Sequence, residues 1–431
     1  MPANLWDPSP PTSRHDFEIA IICALPLEAE AVTAIFDKRW DSKRYGKTIG
    51  DTNTYSTGAI GQHNVVLVHL PNVGKVAAAT AAVSLRTSYE GIGLALVVGV
   101  CGGVPFGKSS DDEILLGDIV ISDGITQYDF GRRFPHGFVR KDHVRDNLPR
   151  PNPQVGTFLA MLQVEQNRSL LQEQTLEHLD ILQWELGDTA TYPGTTEDWL
   201  FKPTYRHKHH KPLECLTCGI GMTSVCDTAL KLSCQELGCD EKELVFRTRS
   251  KSPCGAPIIH FGLVASGDSV MKSSEDRDEV ASQDGCIAFE MEGAGVWENF
   301  PCLIIKGVCD YADSHKSKRW QAFAAAAAAA ATKALLAKWN TARSLRLSSH
   351  NHITPRATDT TLIDTARRAA ILKSLYASTY RDGKERNPDR VAGTCEWFIA
   401  HELFQQWREN SSSKPPAISS SRTILQTRGA R

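Results

Sequence analysis

The chain has 431 residues, and its 48 lysines and arginines nearly balance 50 aspartates and glutamates, which gives a net charge of −2. This balance argues against a nucleic-acid-binding or membrane-surface protein, because both classes usually carry excess positive charge. A chain of this length can bury a large core, and we expect one large α/β domain with an appendage.

The N-terminal segment predicts the cellular compartment. Residues 1–16 are polar and proline-rich and lack the apolar core of a secretory signal. No apolar run has membrane-spanning length. Without a secretory signal, the 12 cysteines are expected to be reduced thiols in the cytosol. We therefore expect a cytoplasmic protein with a small-molecule partner and with neither nucleic acid nor a membrane as partner.

The first predicted elements are a strand, a helix and a hairpin. Residues 18–24 (EIAIICA) are mostly apolar, as in a buried strand, and residues 27–36 carry an apolar stripe at helical spacing. Glu28 falls just past the strand, where the dipole of the following helix favours an acid. Residues 52–58 and 64–69 predict the two strands of a hairpin.

A second buried strand is predicted for residues 94–98, after an alanine-rich helix at residues 76–88. It ends in a glycine-rich segment, residues 99–103, whose backbone N–H groups could approach a ligand closely. A tight turn would also need these glycines, so both interpretations stand. Residues 119–122 predict the next strand, and residues 128–141 predict a basic loop. The basic residues of that loop are Arg132, Arg133, Arg140 and Lys141.

An insert of about residues 150–256 interrupts the α/β pattern, with helical periodicity over residues 155–186. Cys215 and Cys218 form a Cys-x-x-Cys pair near several histidines, and thiolate and imidazole are preferred zinc ligands. A second such pair is missing, because the downstream cysteines are eight and five residues apart: Cys226, Cys234 and Cys239. We therefore predict no metal ion, with structural zinc as the alternative, and expect a chelator to leave any catalysis intact.

The most informative stretch contains two strands that end in acids. Residues 286–290 predict a strand ending at Glu290, and Glu292 and small residues follow, which lets a short helix start close to the sheet. Residues 303–308 are nearly all apolar and run into Asp310. Ligands of open α/β sheets bind outside the carboxyl ends of the strands, so the three acids would converge on one crevice. For any single acid, capping of the next helix is the alternative interpretation.

Two motifs here, FEMEGAGV and IIKGVCDYADSHKSKRWQ, resemble the nucleoside phosphorylase/nucleosidase superfamily. The closest branch stands at the N-terminus of fungal NLR-type, NACHT-containing receptors. The resemblance covers about residues 17–339 and implies a three-layer α/β/α fold with a central mixed sheet. It also implies that Met291 packs on a ribose, that Glu292 accepts hydrogen bonds from its hydroxyls, and that Asp310 protonates a purine at N7.

The same resemblance implies further site residues. Glu28 occupies the position from which nucleosidases of the superfamily hold the attacking water, and Glu290 joins the ribose-binding turn. The glycine-rich turn, with Cys101 and Gly102, would line the nucleoside pocket. The S-G-D loop at residues 266–271 would contact the purine through Val270 and Met271.

The domain organisation follows from these segments. Residues 14–340 are expected to form the catalytic domain. Residues 341–410 read as a linker and a helical segment that resembles the region preceding a NACHT module, and residues 411–431 read as a disordered tail. No G-x-x-x-x-G-K-S/T motif follows, so the nucleotide-binding module itself is not expected in this chain.

These features predict a purine N-ribosyl hydrolase that needs no cofactor and forms a homo-oligomer. Cleavage of the C1′–N9 bond passes through an oxocarbenium-like sugar, so it needs an acid at the base, polar groups on the ribose and a carboxylate for the water. Asp310 would have to be protonated, which burial favours, and Glu28 ionised.

The substrate expected from the resemblance is an adenine nucleoside or nucleotide, ATP included, because related defence proteins act on adenine nucleotides. Arg132 and Arg133 are the first candidates for contacts with a 5′-phosphate, and further basic residues lie near position 206 and at positions 316–319. Three alternatives stand: a phosphate-dependent phosphorylase, a nucleoside-binding signalling domain without turnover, and an assembly module.

Overall fold

A computed structural model describes residues 9–107, 112–141, 148, 150–211, 215–219, 225–249 and 256–340. The predicted linker, helical segment and tail after residue 340 lie outside the described residues. No helix in the described part of the chain is long and apolar enough to cross a membrane.

Nine of the described strands form one mixed sheet, and β7 and β8 form a separate hairpin. The strands are β1 (Ile19–Cys23), β2 (Lys38–Trp40), β3 (Thr54–Ile60), β4 (His63–His69), β5 (Leu94–Gly103), β6 (Ile119–Gln127), β7 (Gly131–Phe134), β8 (Gly137–Arg140), β9 (Ile259–Ser266), β10 (Cys286–Glu290) and β11 (Cys302–Asp310). The order across the large sheet is β10-β9-β6-β11-β5-β1-β4-β3-β2.

Helices cover both faces of the sheet. The helices of the described chain are α1 (Pro26–Ala34), α2 (Lys75–Ser88), α3 (Pro153–Leu162), α4 (Glu165–Leu186), α5 (Cys234–Leu237), α6 (Ser274–Asp284), α7 (Gly293–Trp297) and α8 (Gln321–Leu336). Helices α1, α4 and α8 share one apolar core with one face of the sheet, and α2 and α7 share a second core with the other face. The predicted three-layer α/β/α fold with a central mixed sheet is therefore confirmed.

The alanine tract of α8 explains how closely this helix packs on the sheet. Every side chain from Ala324 to Ala331 is buried. A Cβ at Gly307 of β11 would collide with the backbone of Ala324, so the glycine and the small alanine side chains together allow the close approach. The contact fixes β11, the strand that ends at Asp310.

The sheet closes on itself at one end, which the sequence did not predict. Strand β10 pairs in parallel with β9 and antiparallel with the end of β5, where Phe289 faces Gly102. Strands β5, β11, β6, β9 and β10 therefore form a closed ring. The expectation of an open sheet is wrong, because β10 also pairs with β5. The two strands that end in acids, β10 and β11, are not neighbours in the ring, since β5 lies between them. Since β5 pairs with both, the two acidic ends still meet.

Two local predictions are also wrong. The glycine-rich segment after residue 98 continues β5, because its backbone pairs with β10 and β11. The predicted basic loop at residues 128–141 contains the hairpin β7–β8. Most side chains of that hairpin are exposed, so its sequence lacks the apolar alternation by which strands are recognised. Strand β2 and helix α6 were not predicted.

Candidate active site

A crevice lies at the ends of β5, β10 and β11, beside the start of α1 and the loop after β9. It brings together most of the residues predicted for the site. Its lining includes Glu28, Val100, Cys101, Gly102, Val270, Met271, Phe289, Glu290, Met291, Glu292, Asp310 and Lys316.

Glu28 is held by backbone donors at the start of α1. Its Oε2 atom accepts hydrogen bonds from the N–H groups of Ala24 (2.9 Å) and Leu25 (2.8 Å), and its Oε1 atom accepts one from Val100 (2.8 Å). A Cβ at Gly99 would collide with this carboxylate, so glycine is required there. Burial raises the pKa of Glu28, and the positive charge of Lys306 opposes this rise. The three N–H donors hold the carboxylate in one orientation.

Lys306 is a buried partner of the site carboxylates that sequence reasoning missed. It lies in the middle of β11, fully buried, and its Nζ atom is 3.1 Å from Glu292 Oε2 and 4.0 Å from Glu290 Oε2. Burial lowers the pKa of Lys306, but the carboxylates of Glu292, Glu28 and Glu290 outweigh burial and raise it above its ordinary value. The sequence did contain a sign of this pairing, a single lysine inside an otherwise apolar strand. A charge buried in such a strand needs a partner of opposite charge.

Glu292 keeps acceptor capacity for a ligand. Its Oε1 atom accepts a hydrogen bond from the N–H of Gly74 (3.3 Å), and its Oε2 atom accepts one from Lys306. Each carboxylate oxygen has two lone pairs, so each retains one acceptor position for a hydrogen-bond donor of a ligand.

Glu290 lines the crevice, but its carboxylate is occupied by the start of α7. Its Oε2 atom accepts hydrogen bonds from the N–H groups of Glu292 (3.0 Å) and Gly293 (2.8 Å). Burial raises its pKa, and Lys306 lowers it. Glu290 thus caps the helix and positions Glu292, as the alternative interpretation of the sequence had it.

Asp310 ends β11, and both of its carboxylate oxygens have partners: the Cys309 thiol donates to Oδ2 (3.5 Å). Its Oδ1 atom accepts hydrogen bonds from the N–H of Ala312 (2.8 Å) and from Lys316 Nζ (2.8 Å). Ala312, whose N–H makes this contact, has a positive φ of 51°, an uncommon conformation for a residue other than glycine. A Cβ at Gly102 would lie 2.8 Å from Oδ1, so this glycine makes room for Asp310. Sequence reasoning placed Asp310 in a buried setting and did not predict its pairing with Lys316.

The predicted purine side combines exposed and aromatic residues. Val270 is 54% exposed, whereas Met271 packs against a small apolar cluster that includes Tyr128 and Phe289. These two rings meet edge to face with centroids 5.4 Å apart, and the hydroxyl of Tyr128 donates to the carbonyl of Ser269. Tyr128 therefore fixes the S-G-D loop, a role that the sequence did not indicate.

The predicted phosphate-binding residues do not line the crevice. Arg132 and Arg133 are exposed on β7. Arg140 pairs with Asp284 (2.7 Å), and Arg319 pairs with Glu197 (2.6 Å). Of the predicted basic residues, Lys316 is the one that the described crevice includes.

Comparisons with known proteins agree with this fold. Residues 18–173 match the family model described as the phosphorylase superfamily. A nucleotide-binding leucine-rich repeat (NLR)-like protein of Hyaloscypha variabilis is 32% identical over 336 residues, which is 76% of this chain and 30% of that protein. The chain thus spans about a third of that relative's length.

Solved structures of nucleosidases were also matched. The 5′-methylthioadenosine/S-adenosylhomocysteine nucleosidase of Neisseria meningitidis is 15% identical, with a TM-score of 0.43 and coverage of 74% of this chain and 98% of that chain. The futalosine hydrolase of Helicobacter pylori is 15% identical, with a TM-score of 0.44 and coverage of 75% and 99%. Residues 18–173 thus form part of a domain of the phosphorylase superfamily.

Proposed function

We propose that this domain hydrolyses the N-glycosidic bond of purine nucleosides or nucleotides. The observation that carries the proposal is that Glu28 and Asp310 line the same crevice, with Glu292 also in its wall. Two carboxyl groups at one site are what glycosidic cleavage uses, one for the leaving group and one for the water.

The roles follow from the hydrogen bonds. Water attacks C1′ and passes a proton to Glu28, whose remaining lone pairs are oriented by the backbone donors. The C1′–N9 bond breaks with its electron pair going to the purine, and Asp310 supplies a proton to N7. Glu292 accepts hydrogen bonds from the ribose hydroxyls. Lys316 holds Oδ1 of Asp310, and Oδ2, which the Cys309 thiol contacts at 3.5 Å, is the oxygen that carries the proton to the base.

The charge of the crevice favours water over phosphate as the nucleophile. Among the described residues that line it, four are acidic (Glu28, Glu290, Glu292 and Asp310) and one is a lysine, which is already paired with Asp310. A phosphate ion would need several cations or free N–H donors there. The backbone N–H groups nearest Glu28 are occupied by its own carboxylate.

We expect the purified protein to convert adenosine to adenine and free ribose at a rate that added phosphate does not change. In H₂¹⁸O the label should enter the ribose, since water supplies the new oxygen. Glu28→Gln should abolish most of this turnover while retaining purine binding. Formation of ribose 1-phosphate would establish the phosphorylase reading. Purine binding without release of base under any condition would favour a signalling domain.

The finer part of the proposal concerns the 5′ position of the substrate. The hairpin with Arg132 and Arg133 follows directly from Asp129, which accepts hydrogen bonds from the N–H of Asp268 (2.7 Å) and from Lys75. The hairpin is therefore anchored to the S-G-D loop at the mouth of the crevice. Its exposed guanidinium groups are free to meet a phosphate chain that leaves the ribose.

We expect ATP or another adenine nucleotide to be cleaved with a higher kcat/KM than adenosine, an advantage that shrinks as salt screens the phosphate contacts. Replacing both Arg132 and Arg133 with alanine should remove the advantage and leave adenosine turnover unchanged. The matched control replaces Arg39 and Arg44, two exposed arginines on and beside β2, and changes the net charge equally. Better turnover of adenosine than of ATP in the unmodified protein would reject this part of the proposal.

A further inference from the structure

Eight cysteine and histidine side chains of the described chain fall into two groups of four. In each group the candidate ligand atoms all lie within 4.8 Å of one another. The inner group is His207, Cys234, Cys239 and His315. The outer group is His209, Cys215, Cys218 and Cys226.

The inner group has the dimensions of a tetrahedral metal site. Cys234 Sγ lies 3.4 Å from His207 Nδ1 and 3.5 Å from His315 Nδ1, and Cys239 Sγ lies 4.0 Å from both nitrogens. A tetrahedral zinc ion with its usual bond lengths separates a sulfur and a nitrogen ligand by about 3.6 Å. The four atoms can therefore surround one ion with only small shifts.

The outer group has similar dimensions. Cys215 Sγ and Cys226 Sγ are 3.8 Å apart, and His209 Nδ1 lies 3.4 Å from Cys218 Sγ and 3.9 Å from Cys226 Sγ. Two thiolates on one tetrahedral zinc ion lie about 3.8 Å apart. The same separation is far too long for a disulfide, and the five cysteines of the two groups are free thiols.

The histidines of the inner group are already oriented as ligands. The Nε2 atom of His207 lies 2.9 Å from the carbonyl oxygen of Leu232, and that of His315 lies 3.1 Å from the carbonyl oxygen of Tyr205. Each Nε2 therefore donates its proton to a backbone carbonyl, which leaves the lone pair on Nδ1, the atom that faces the cysteines. Such second contacts are typical of metal-bound histidine.

We propose that the two groups each bind one structural zinc ion, as a Cys₂His₂ site and a Cys₃His site. Both sets consist of four nitrogen and sulfur ligands, the composition of closed structural zinc sites. The surrounding segment needs such support, because its own apolar core among the described residues has only three buried members: Cys218, Ala229 and Leu237. A core this small does not usually hold a fold without a metal or a disulfide.

The order of the ligands explains why spacing in the sequence did not reveal the sites. The four outer ligands follow one another between His207 and Cys234, so the outer site is nested inside the inner one. The prediction of no metal rested on the missing second Cys-x-x-Cys pair. The structure completes the inner group with His315, a residue 76 positions after Cys239 that only the fold brings near.

The inner group is also connected to the proposed active site through the loop that contains His315. His315 directly precedes Lys316, which holds Asp310, and the N–H of His207 donates to Ser314 Oγ (3.1 Å) in the same loop. His315 itself stacks on Phe201 with ring centroids 4.1 Å apart. An ion bound by His315 would thus fix the loop that carries Lys316.

The test is the metal content of the full chain purified without chelators. We expect about two zinc ions per chain, about one in Cys218→Ser and about one in Cys234→Ser. His210→Gln is the matched control, because His210 adjoins the outer ligand His209 and belongs to neither group. This control should retain both ions. Replacement of zinc by cobalt should give the absorption of tetrahedral cobalt thiolate.

A second measurement does not depend on variants that fold poorly. In the native protein the five cysteines of the two groups should resist alkylation, and a strong chelator should make them reactive as it releases the zinc. A chain with negligible zinc, with no cobalt spectrum and with these thiols reactive before chelation would overturn the proposal. A disulfide between Cys215 and Cys226 in the isolated protein would overturn it for the outer site.

The link to catalysis rests on the proposed function. If the crevice is a nucleosidase, Cys234→Ser should lower kcat by roughly 10–100-fold through a misplaced Lys316, whereas Cys218→Ser should have a much smaller effect. This reverses the expectation, made from the catalytic roles alone, that chelation leaves activity intact. Zinc bound without any nucleosidase activity would refute the function and support the metal sites. Nucleosidase activity in a chain that contains no zinc would support the function and refute the metal sites.

Discussion

Asp310→Asn is expected to lower the rate of N-glycosidic cleavage by about 10²–10⁴-fold, the usual contribution of general-acid catalysis. The amide has nearly the shape of the carboxyl group, and its oxygen can still accept the hydrogen bonds from Ala312 and Lys316. It cannot give a proton to purine N7. Single-turnover kinetics with adenosine should therefore show the loss in the rate constant of bond cleavage, while the fold and purine binding survive.

The matched control for this prediction is Asp198→Asn. Asp198 is a partly buried aspartate whose pKa is raised to about 6 by burial, and it accepts the hydroxyl hydrogen of Tyr311 (2.5 Å), the residue after Asp310. It lies outside the lining of the crevice. Asparagine retains the oxygen that Tyr311 needs, so activity should change little. Wild-type-like turnover of Asp310→Asn would reject Asp310 as the acid.

Lys306→Met is expected to cost about 3–5 kcal/mol of unfolding free energy, because removing one partner leaves buried charges uncompensated. Glu28, Glu290 and Glu292 are all buried around this ammonium group. Burial raises the pKa of Glu28 and Glu290, and Lys306 holds them lower. In the variant these folded-state values rise further above those of the unfolded chain. The folded variant then binds extra protons, and its deficit in stability should shrink as the pH falls. Chemical denaturation at several pH values measures this.

Two controls separate charge from packing. Lys202→Met removes a lysine with the same 3.1 Å separation from a carboxylate, Glu243, but at an exposed site, and should cost only about 0–1 kcal/mol. Glu292→Gln in the Lys306→Met background should restore part of the lost stability, because it removes one uncompensated charge. A small, pH-independent loss in Lys306→Met would contradict the central role assigned to this lysine.

The sequence alone predicted the fold and the positions of its main acids. Strands such as β1, β10 and β11 are apolar runs of strand length, and the long helices α2 and α8 are rich in strong helix formers. These signals depend only on residues that are close together along the chain, so one sequence is enough to recognise them. The motifs around Glu292 and Asp310 supplied the resemblance to the superfamily, which the family match confirms.

Tertiary structure alone decided how these residues work together. The closure of the sheet through β5 and β10, the burial of Lys306 among three carboxylates and the pairing of Asp310 with Lys316 depend on contacts between distant segments. The same holds for His315, which joins cysteines from the insert. Hydrophobic periodicity reports which face of an element is buried, but it carries no information about which distant side chain fills the space opposite.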